Sequence, residues 1–352
     1  MLLDTVLLVV GLALLVWSAD QFVLGSSRLA RLLHLPPVVI GAVVMGFGTS
    51  APEMIVSAIA ASGGDRALGV GNIVGSNVAN LTLVLGTAAF VAVMAIPKVV
   101  FRREGPLSIA AAALFAVFVV DGSIERWEGA VLVVALVVVV TYLIRSGRGE
   151  EEDEDDTEET SLGRESGRAV IGLVGTVVGA QLAVNGATGL ADGFGVSGGF
   201  IGFSLVALGT SLPELVTTVA CARRSETDLI VGNLFGSNIF NALAVGGVMG
   251  VVGPGVIEDD SLTGVGIVSM LVIAVGAFGL CAIGLRVGRP AGSILLAAYV
   301  GTMVLLATSA TDDDADTGDQ AAALAVDSST EPVADLDGAD GSEQRPATSS
   351  SS

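Results

Sequence analysis

The chain has 352 residues, of which 52% are apolar and 47 are glycine, with a mean hydropathy of +0.78 and a formal net charge of −20. That apolar excess excludes an ordinary soluble domain and describes a polytopic membrane protein. A single lysine beside 36 acidic residues also suits a protein living in high salt, where dense surface carboxylates keep it soluble.

In chain order, long apolar stretches separated by short polar turns predict ten spans, at about 3–24, 37–62, 68–95, 106–121, 127–144, 168–191, 197–222, 228–252, 262–285 and 290–309. The first could pass for a signal peptide, but Asp4 stands where a basic segment would be, so it reads as a retained helix. At its far end Asp20, like its counterpart Gln181, suits either a gate or a merely interfacial position, and reads as interfacial. His34, the sole histidine, falls in a turn ahead of Pro36 and Pro37 with no second histidine or nearby cysteine to make a metal site.

The second span carries Gly48-Thr49-Ser50-Ala51-Pro52-Glu53, and the seventh carries Gly209-Thr210-Ser211-Leu212-Pro213-Glu214. The third and eighth carry Gly71-Asn72-Ile73-Val74-Gly75-Ser76-Asn77-Val78-Ala79-Asn80 and Gly232-Asn233-Leu234-Phe235-Gly236-Ser237-Asn238-Ile239-Phe240-Asn241. The offset is 161 residues throughout, and 16 of 41 positions are identical between 46–86 and 207–247. Such agreement marks a duplicated unit that contains the polar chemistry.

An ionised carboxylate at mid-membrane costs at least a few kcal/mol, so it faces a partner or a wet cavity. No intramembrane Lys or Arg is available to Glu53 or Glu214. On a helix, Thr49 and Ser50 share the face of Glu53, and Ser76 shares a face with Asn80, as Ser237 does with Asn241. Asn77 and Asn238 point elsewhere and suit bonds to neighbouring helices. Pro52 and Pro213 clash with the carbonyls of Gly48 and Gly209, freeing those oxygens. Two carboxylates among hydroxyl, amide and carbonyl oxygens are hard-cation chemistry, and the absence of thiols or imidazoles argues against copper or zinc. One divalent ion, two monovalent ions or two protons would cancel the two charges. A site that is tolerable in hydrocarbon when neutral and costly when empty switches sides loaded, which is the physical basis of antiport.

The fourth and fifth spans lead to residues 150–159, which carry nine acids, and the tail from Asp312 onward is rich in Asp, Ser, Ala and Gly. Both segments read as disordered, and the acidic loop reads as a solvated linker. Cys221 and Cys281 lie in or near spans without metal-ligand spacing and read as small packers. With the N-terminus outside, Arg28, Arg31, Lys98, Arg102, Arg103, Arg145, Arg148, Arg164, Arg168, Arg223, Arg224, Arg286 and Arg289 all fall in cytoplasmic segments, leaving Arg66, Arg126 and Arg345 outside. Both termini are then external. Five spans per repeat is odd, so the halves enter the membrane in opposite senses, as in many secondary transporters. The predicted fold is an all-α polytopic membrane protein of ten transmembrane helices in two inverted five-helix repeats. Its parts are a first repeat over 1–145, an acidic cytoplasmic linker over 146–167, a second repeat over 168–309 and a disordered acidic tail over 310–352.

These paired signatures resemble the calcium/cation antiporter superfamily, above all its prokaryotic sodium/calcium exchanger branch, and the resemblance covers nearly all of residues 1–309. It implies a site built from the second, third, seventh and eighth spans, with the first and sixth sliding across them. It also implies that Glu53 and Glu214 are the main calcium ligands, helped by the carbonyls of Thr49 and Thr210. Sodium sites would use Ser50, Ser76, Ser211 and Ser237 with the carbonyls of Ala207 and Gly46, and Asn80 and Asn241 would line the centre. Some members carry Asp at one of those two central positions, but here both are Asn, which argues against potassium dependence and leaves proton coupling open. The expected activity is sodium/calcium antiport across the cell membrane in the direction of calcium export, with proton/calcium antiport as the alternative. Calcium, sodium and the lipid bilayer are the expected partners, the chain is expected to function as a monomer, and neither a cofactor nor nucleic acid is expected. A passive channel would need a continuous wet path. An intramembrane hydrolase lacks a nucleophile and base, so no enzymatic activity is expected.

Overall fold

A computed structural model describes residues 1–147, 161–193, 207–284, 286–306 and 308. The acidic run at 150–159, the acidic tail and the start of the seventh expected span lie outside the described residues. Among the described residues seven helices are long and apolar enough to cross a membrane, and a bent pair makes an eighth. The seven are α1 (Leu2–Leu32), α4 (Arg66–Val91), α6 (Arg126–Gly147), α7 (Leu162–Gly193), α10 (Thr227–Val252), α11 (Leu262–Ile283) and α12 (Arg289–Leu306). The bent pair is α2 (Pro37–Thr49) and α3 (Ala51–Ser62), which meet at 42°. Between these lie the shorter apolar α5 (Glu104–Val119) and the pieces α8 (Ala207–Thr210) and α9 (Leu212–Arg223).

Helix α1 extends well past the apolar run that ends near residue 24. Its last two turns are polar, yet they are paired. Ser27 donates to Glu226 at 2.6 Å, and Arg28 lies 3.4 Å from Glu165, a carboxylate that Arg168 also approaches at 3.4 Å. Those partners come from the other half of the chain, so hydropathy alone could not extend the helix.

Helices α1 and α7 run antiparallel in close contact. A Cβ on Gly11 would sit 2.4 Å from the Ala183 nitrogen, and one on Gly172 would sit 2.4 Å from that of Phe22. Packing of this kind, backbone against backbone, is what small residues permit between membrane helices. Each long helix is also 161 residues from the other in sequence, so the closest helix pair joins equivalent parts of the duplication.

Two short antiparallel ribbons also link the halves. Met94–Ala95 pairs with Arg286–Val287, and Ser123–Ile124 pairs with Gly255–Val256. Inside, two apolar clusters draw on both halves. One gathers Phe22, Met45 and Leu85 with Phe235 and Ala277, the other Ile73, Phe115 and Leu132 with Leu243 and Met249. Many large apolar side chains, among them Val6, Trp17, Val134 and Val272, face outward, as lipid contact requires.

Candidate ion-binding site

The chain breaks at the same point in both halves. Ser50 (φ −82°, ψ 2°) separates α2 from α3, and Ser211 (φ −88°, ψ 0°) separates α8 from α9. Pro52 and Pro213 each lie in the first turn of the following helix, where a missing N–H costs nothing. The break therefore falls two residues before the proline rather than at the glycine four residues back. Glu53 and Glu214 follow directly in that first turn, where the unsatisfied N–H groups of a helix N-terminus favour negative charge.

Both glutamates are sealed from solvent, Glu53 at 1% exposure and Glu214 at 0%. They lie within electrostatic reach of each other. Neither takes part in an ion pair among the described residues, and none of the four carboxylate oxygens has a hydrogen-bond partner. The hydroxyls of Ser50 and Ser211, the Oδ1 atoms of Asn80 and Asn241 and the Nδ2 atom of Asn241 are likewise buried without a partner. Buried polar atoms without partners are costly, and carboxylate, hydroxyl and amide oxygens of this kind suit a hard cation.

Some of the expected set meet across the duplication. Thr49 donates to the Met45 carbonyl at 3.0 Å and lies 3.2 Å from Ser237 Oγ and 3.4 Å from Asn233 Oδ1. Asn80 donates to Asn238 at 3.0 Å, and Asn238 in turn donates to the Asn77 carbonyl at 3.2 Å, so Asn238 does hold neighbouring helices together. Helix α8, which begins at Ala207, packs against α4, as the Gly46–Thr49 turn packs against α10. Ser76 is buried and Thr210 half-buried. The Gly46 carbonyl already accepts the Ser50 N–H at 3.2 Å, so only its second lone pair is open to an ion.

Some contributions had no sequence signal. Helices α4 and α10 each widen to a π-turn, Asn80–Val84 and Asn241–Val245, which begins at the central asparagine. Such turns often mark functional sites because they swing a side chain out of register. Asp20, expected to be merely interfacial, receives Arg224 in a two-pronged bond at 2.6 and 2.5 Å. Asn72 and Asn233 belong to the repeated motif: Asn72 donates to the Glu53 carbonyl and to Ser57, whereas Asn233 has only its oxygen near a partner, 3.4 Å from the Thr49 hydroxyl. Among the described residues no three His, Cys, Asp or Glu side chains gather as a metal cluster, so the donor set rests on two carboxylates and neutral oxygens.

The model of the family described as sodium/calcium exchanger protein matches residues 3–145 and 167–308. The chain belongs to the sodium/calcium exchanger family. It therefore lies within the calcium/cation antiporter superfamily, on its prokaryotic branch. Similar relatives include the inner membrane protein YrbG of Escherichia coli, 38% identical over 73% of this chain and 82% of the relative. Another is the sodium/calcium exchanger MaX1 of Methanosarcina acetivorans, 29% identical over 85% of this chain and 97% of the relative. Among solved structures, the sodium-calcium exchanger NCX_Mj soaked with 10 mM Na+ and zero Ca2+ matches with a TM-score of 0.77 and 31% identity, covering 86% of this chain and 98% of that one.

Proposed function

We propose that this protein is a secondary antiporter that exchanges sodium for calcium across the cell membrane, exporting calcium, with a complete pathway in each chain, so that it functions as a monomer. The observation that carries this reading is the pair of buried, unpaired glutamates in matching helix first turns, surrounded by hydroxyl and amide oxygens that lack partners. Two negative charges among oxygens of flexible geometry suit one calcium ion, and the same charges suit two sodium ions. Glu53 and Glu214 are the main calcium ligands, with Thr49 and Thr210; Ser50, Ser76, Ser211 and Ser237, with the carbonyls of Gly46 and Ala207, complete the flanking sodium sites, and Asn80 and Asn241 line the centre. The scaffold is ten transmembrane helices in two inverted five-helix repeats, 1–145 and 168–309, joined by the linker 146–167 and followed by the acidic tail 310–352, with both termini external. The antiparallel contact of α1 with α7, helices that occupy equivalent places in the duplication, supports inversion.

Proton/calcium antiport on the same scaffold is a second reading, because two protons on the glutamates would cancel their charge even with neutral asparagines at 80 and 241. These leave the two glutamates as the titratable groups of the site. The test is uptake of radiolabelled calcium into proteoliposomes loaded with sodium, compared with choline-loaded vesicles and with vesicles under an imposed proton gradient at equal ionic strength. Uptake that requires internal sodium and disappears in Glu53→Gln and Glu214→Gln establishes sodium/calcium antiport. Uptake that follows the proton gradient alone replaces sodium by protons, and uptake unchanged in both variants removes the assigned site.

A further inference from the structure

Asn72 and Asn233 fall in the second repeated motif and stand outside the proposed ligand set, yet Asn72 bonds the backbone of Glu53 and Asn233 lies against Thr49. In the first half the Asn72 Nδ2 atom donates to the Glu53 carbonyl at 3.2 Å and to Ser57 Oγ at 2.9 Å. Ser57 donates onward to the Gly69 carbonyl at 3.4 Å. These bonds tie the first turn of α3, which carries Glu53, to α4. Backbone and carboxylate move together, so the tie fixes the direction from which Glu53 reaches an ion.

The second half has the same parts, Asn233 for Asn72 and Thr218 for Ser57, both completely buried. There the tie is open. Asn233 Nδ2 and Thr218 Oγ1 both end without a partner, and the Asn233 oxygen lies 3.4 Å from the Thr49 hydroxyl across the duplication, a long contact beside that hydroxyl's 3.0 Å bond to the Met45 carbonyl. Two helix-to-helix bonds of purely structural purpose would be closed in both halves, because a buried donor and a buried acceptor left apart are costly. The equivalent groups are kept in the sequence but engaged in one half alone, which is the pattern expected of a two-state element seen in one of its states.

We propose that Asn72 and Asn233 are positioning residues that brace the two glutamate-bearing helices in turn. Asn72 holds Glu53 in the state seen here, and Asn233 releases Thr49 and takes up the Glu214 carbonyl and Thr218 when the protein opens to the other face. This inference rests on the antiport reading. It makes Glu53 the fixed ligand and Glu214 the adjustable one in the present state, and exchanges those roles when access alternates.

The experiment is amide hydrogen exchange on the full-length protein in calcium-free lipid nanodiscs, with calcium uptake measured in parallel. Asn72→Ala is expected to speed exchange of the amides around Glu53–Ser57 about ten-fold through the loss of its bonds. Asn233→Ala is expected to leave the amides around Glu214–Thr218 within about two-fold, since the bond it would lose there is open, while slowing maximal uptake about ten-fold with KM preserved. Should Asn72→Ala fail to fold, Ser57→Ala removes one arm of the brace and is expected to give a smaller acceleration at the same amides. Equal acceleration in both halves, or none in the first, overturns the alternation. Calcium uptake that survives Glu53→Gln shows separately that the antiport reading has failed, and the alternation falls with it whatever the exchange pattern.

Discussion

At the scale of single residues, the central asparagines decide which charges the site can hold. Asn80 and Asn241 are 1% exposed, their Oδ1 atoms have no partner, and the π-turns they open pack against α9 and α3, the helices that carry Glu214 and Glu53. A carboxylate at either position adds a third negative charge, and charge count is a main determinant of calcium affinity in oxygen sites. Asn241→Asp is therefore expected to tighten calcium binding when the new group is ionised and to lose that gain when it is protonated. The sign follows directly: apparent calcium affinity should fall as pH falls, by about ten-fold across the titration of the new group, in a protein whose starting pH dependence is shallower. Calcium KM measured over a pH series in proteoliposomes checks this, and parallel profiles for the two proteins would show that residue 241 lies outside the ion's reach.

At the scale of elements, the duplication made most of the site readable in advance. A residue that recurs 161 positions away in an apolar setting is constrained twice, so the two glutamates, their hydroxyl neighbours and the glycines stood out. Boundaries that depend on distant partners did not. Helix α1 looked finished near residue 24 because Ser26, Ser27 and Arg28 end the apolar run, but Glu226 and Glu165 satisfy two of those polar groups and the helix continues to Leu32. The clash of Pro52 with the Gly48 carbonyl marked this turn as irregular without giving the break at Ser50, because a proline in a first turn leaves the N-cap residue ahead of it to adopt the non-helical backbone. The π-turns at Asn80 and Asn241 had no sequence signal, because a widened turn changes hydrogen-bond register and leaves composition untouched. Close helix approach was legible in kind, from the glycines, but its partners were not. At Gly236 an added Cβ would fall 2.3 Å from the Ala42 carbonyl oxygen, backbone that cannot rotate away. Gly236→Ala should therefore push α2 from α10 and cost about 1–3 kcal/mol of stability, seen as a lowered Tm in detergent. Gly75, whose added Cβ would meet nothing within 4 Å, is the control, and Gly75→Ala should leave Tm unchanged.

At the scale of the whole molecule, the two ends of the α1–α7 pair differ in a way the duplication does not require. A cavity of about 620 Å3 opens beside α7 and is lined by Gln181, Val184, Thr188, Thr210, Pro52 and Pro213. The positions 161 residues earlier than Gln181, Val184, Thr188 and Thr210 are Asp20, Val23, Ser27 and Thr49, and there the structure is shut. Val23 and Thr49 are completely buried, Ser27 is bonded to Glu226, and Asp20 is held by both prongs of Arg224. Asp20 raises the pKa of Arg224 above its ordinary value, so the guanidinium charge is fixed at any working pH. On the cavity side the counterparts of Asp20 and Arg224 are Gln181 and Gly63, which cannot form an ion pair. The pair thus favours closure at one end alone. Because Arg224 and Asp20 remain 33% and 42% exposed, its worth is at most about 1 kcal/mol, or roughly a five-fold shift in population. Asp20→Asn is expected to produce that shift, raising thiol labelling of Val23→Cys and lowering that of Val184→Cys in a background with Cys221 and Cys281 changed to alanine. Reversal of the pair, Asp20→Arg with Arg224→Asp, should restore the original pattern. Added salt should mimic Asp20→Asn, because an exposed pair is screened within about 8 Å at physiological ionic strength. Labelling at both cysteines that ignores the pair and the salt would mean that helix packing, rather than this charge pair, decides which end stands open.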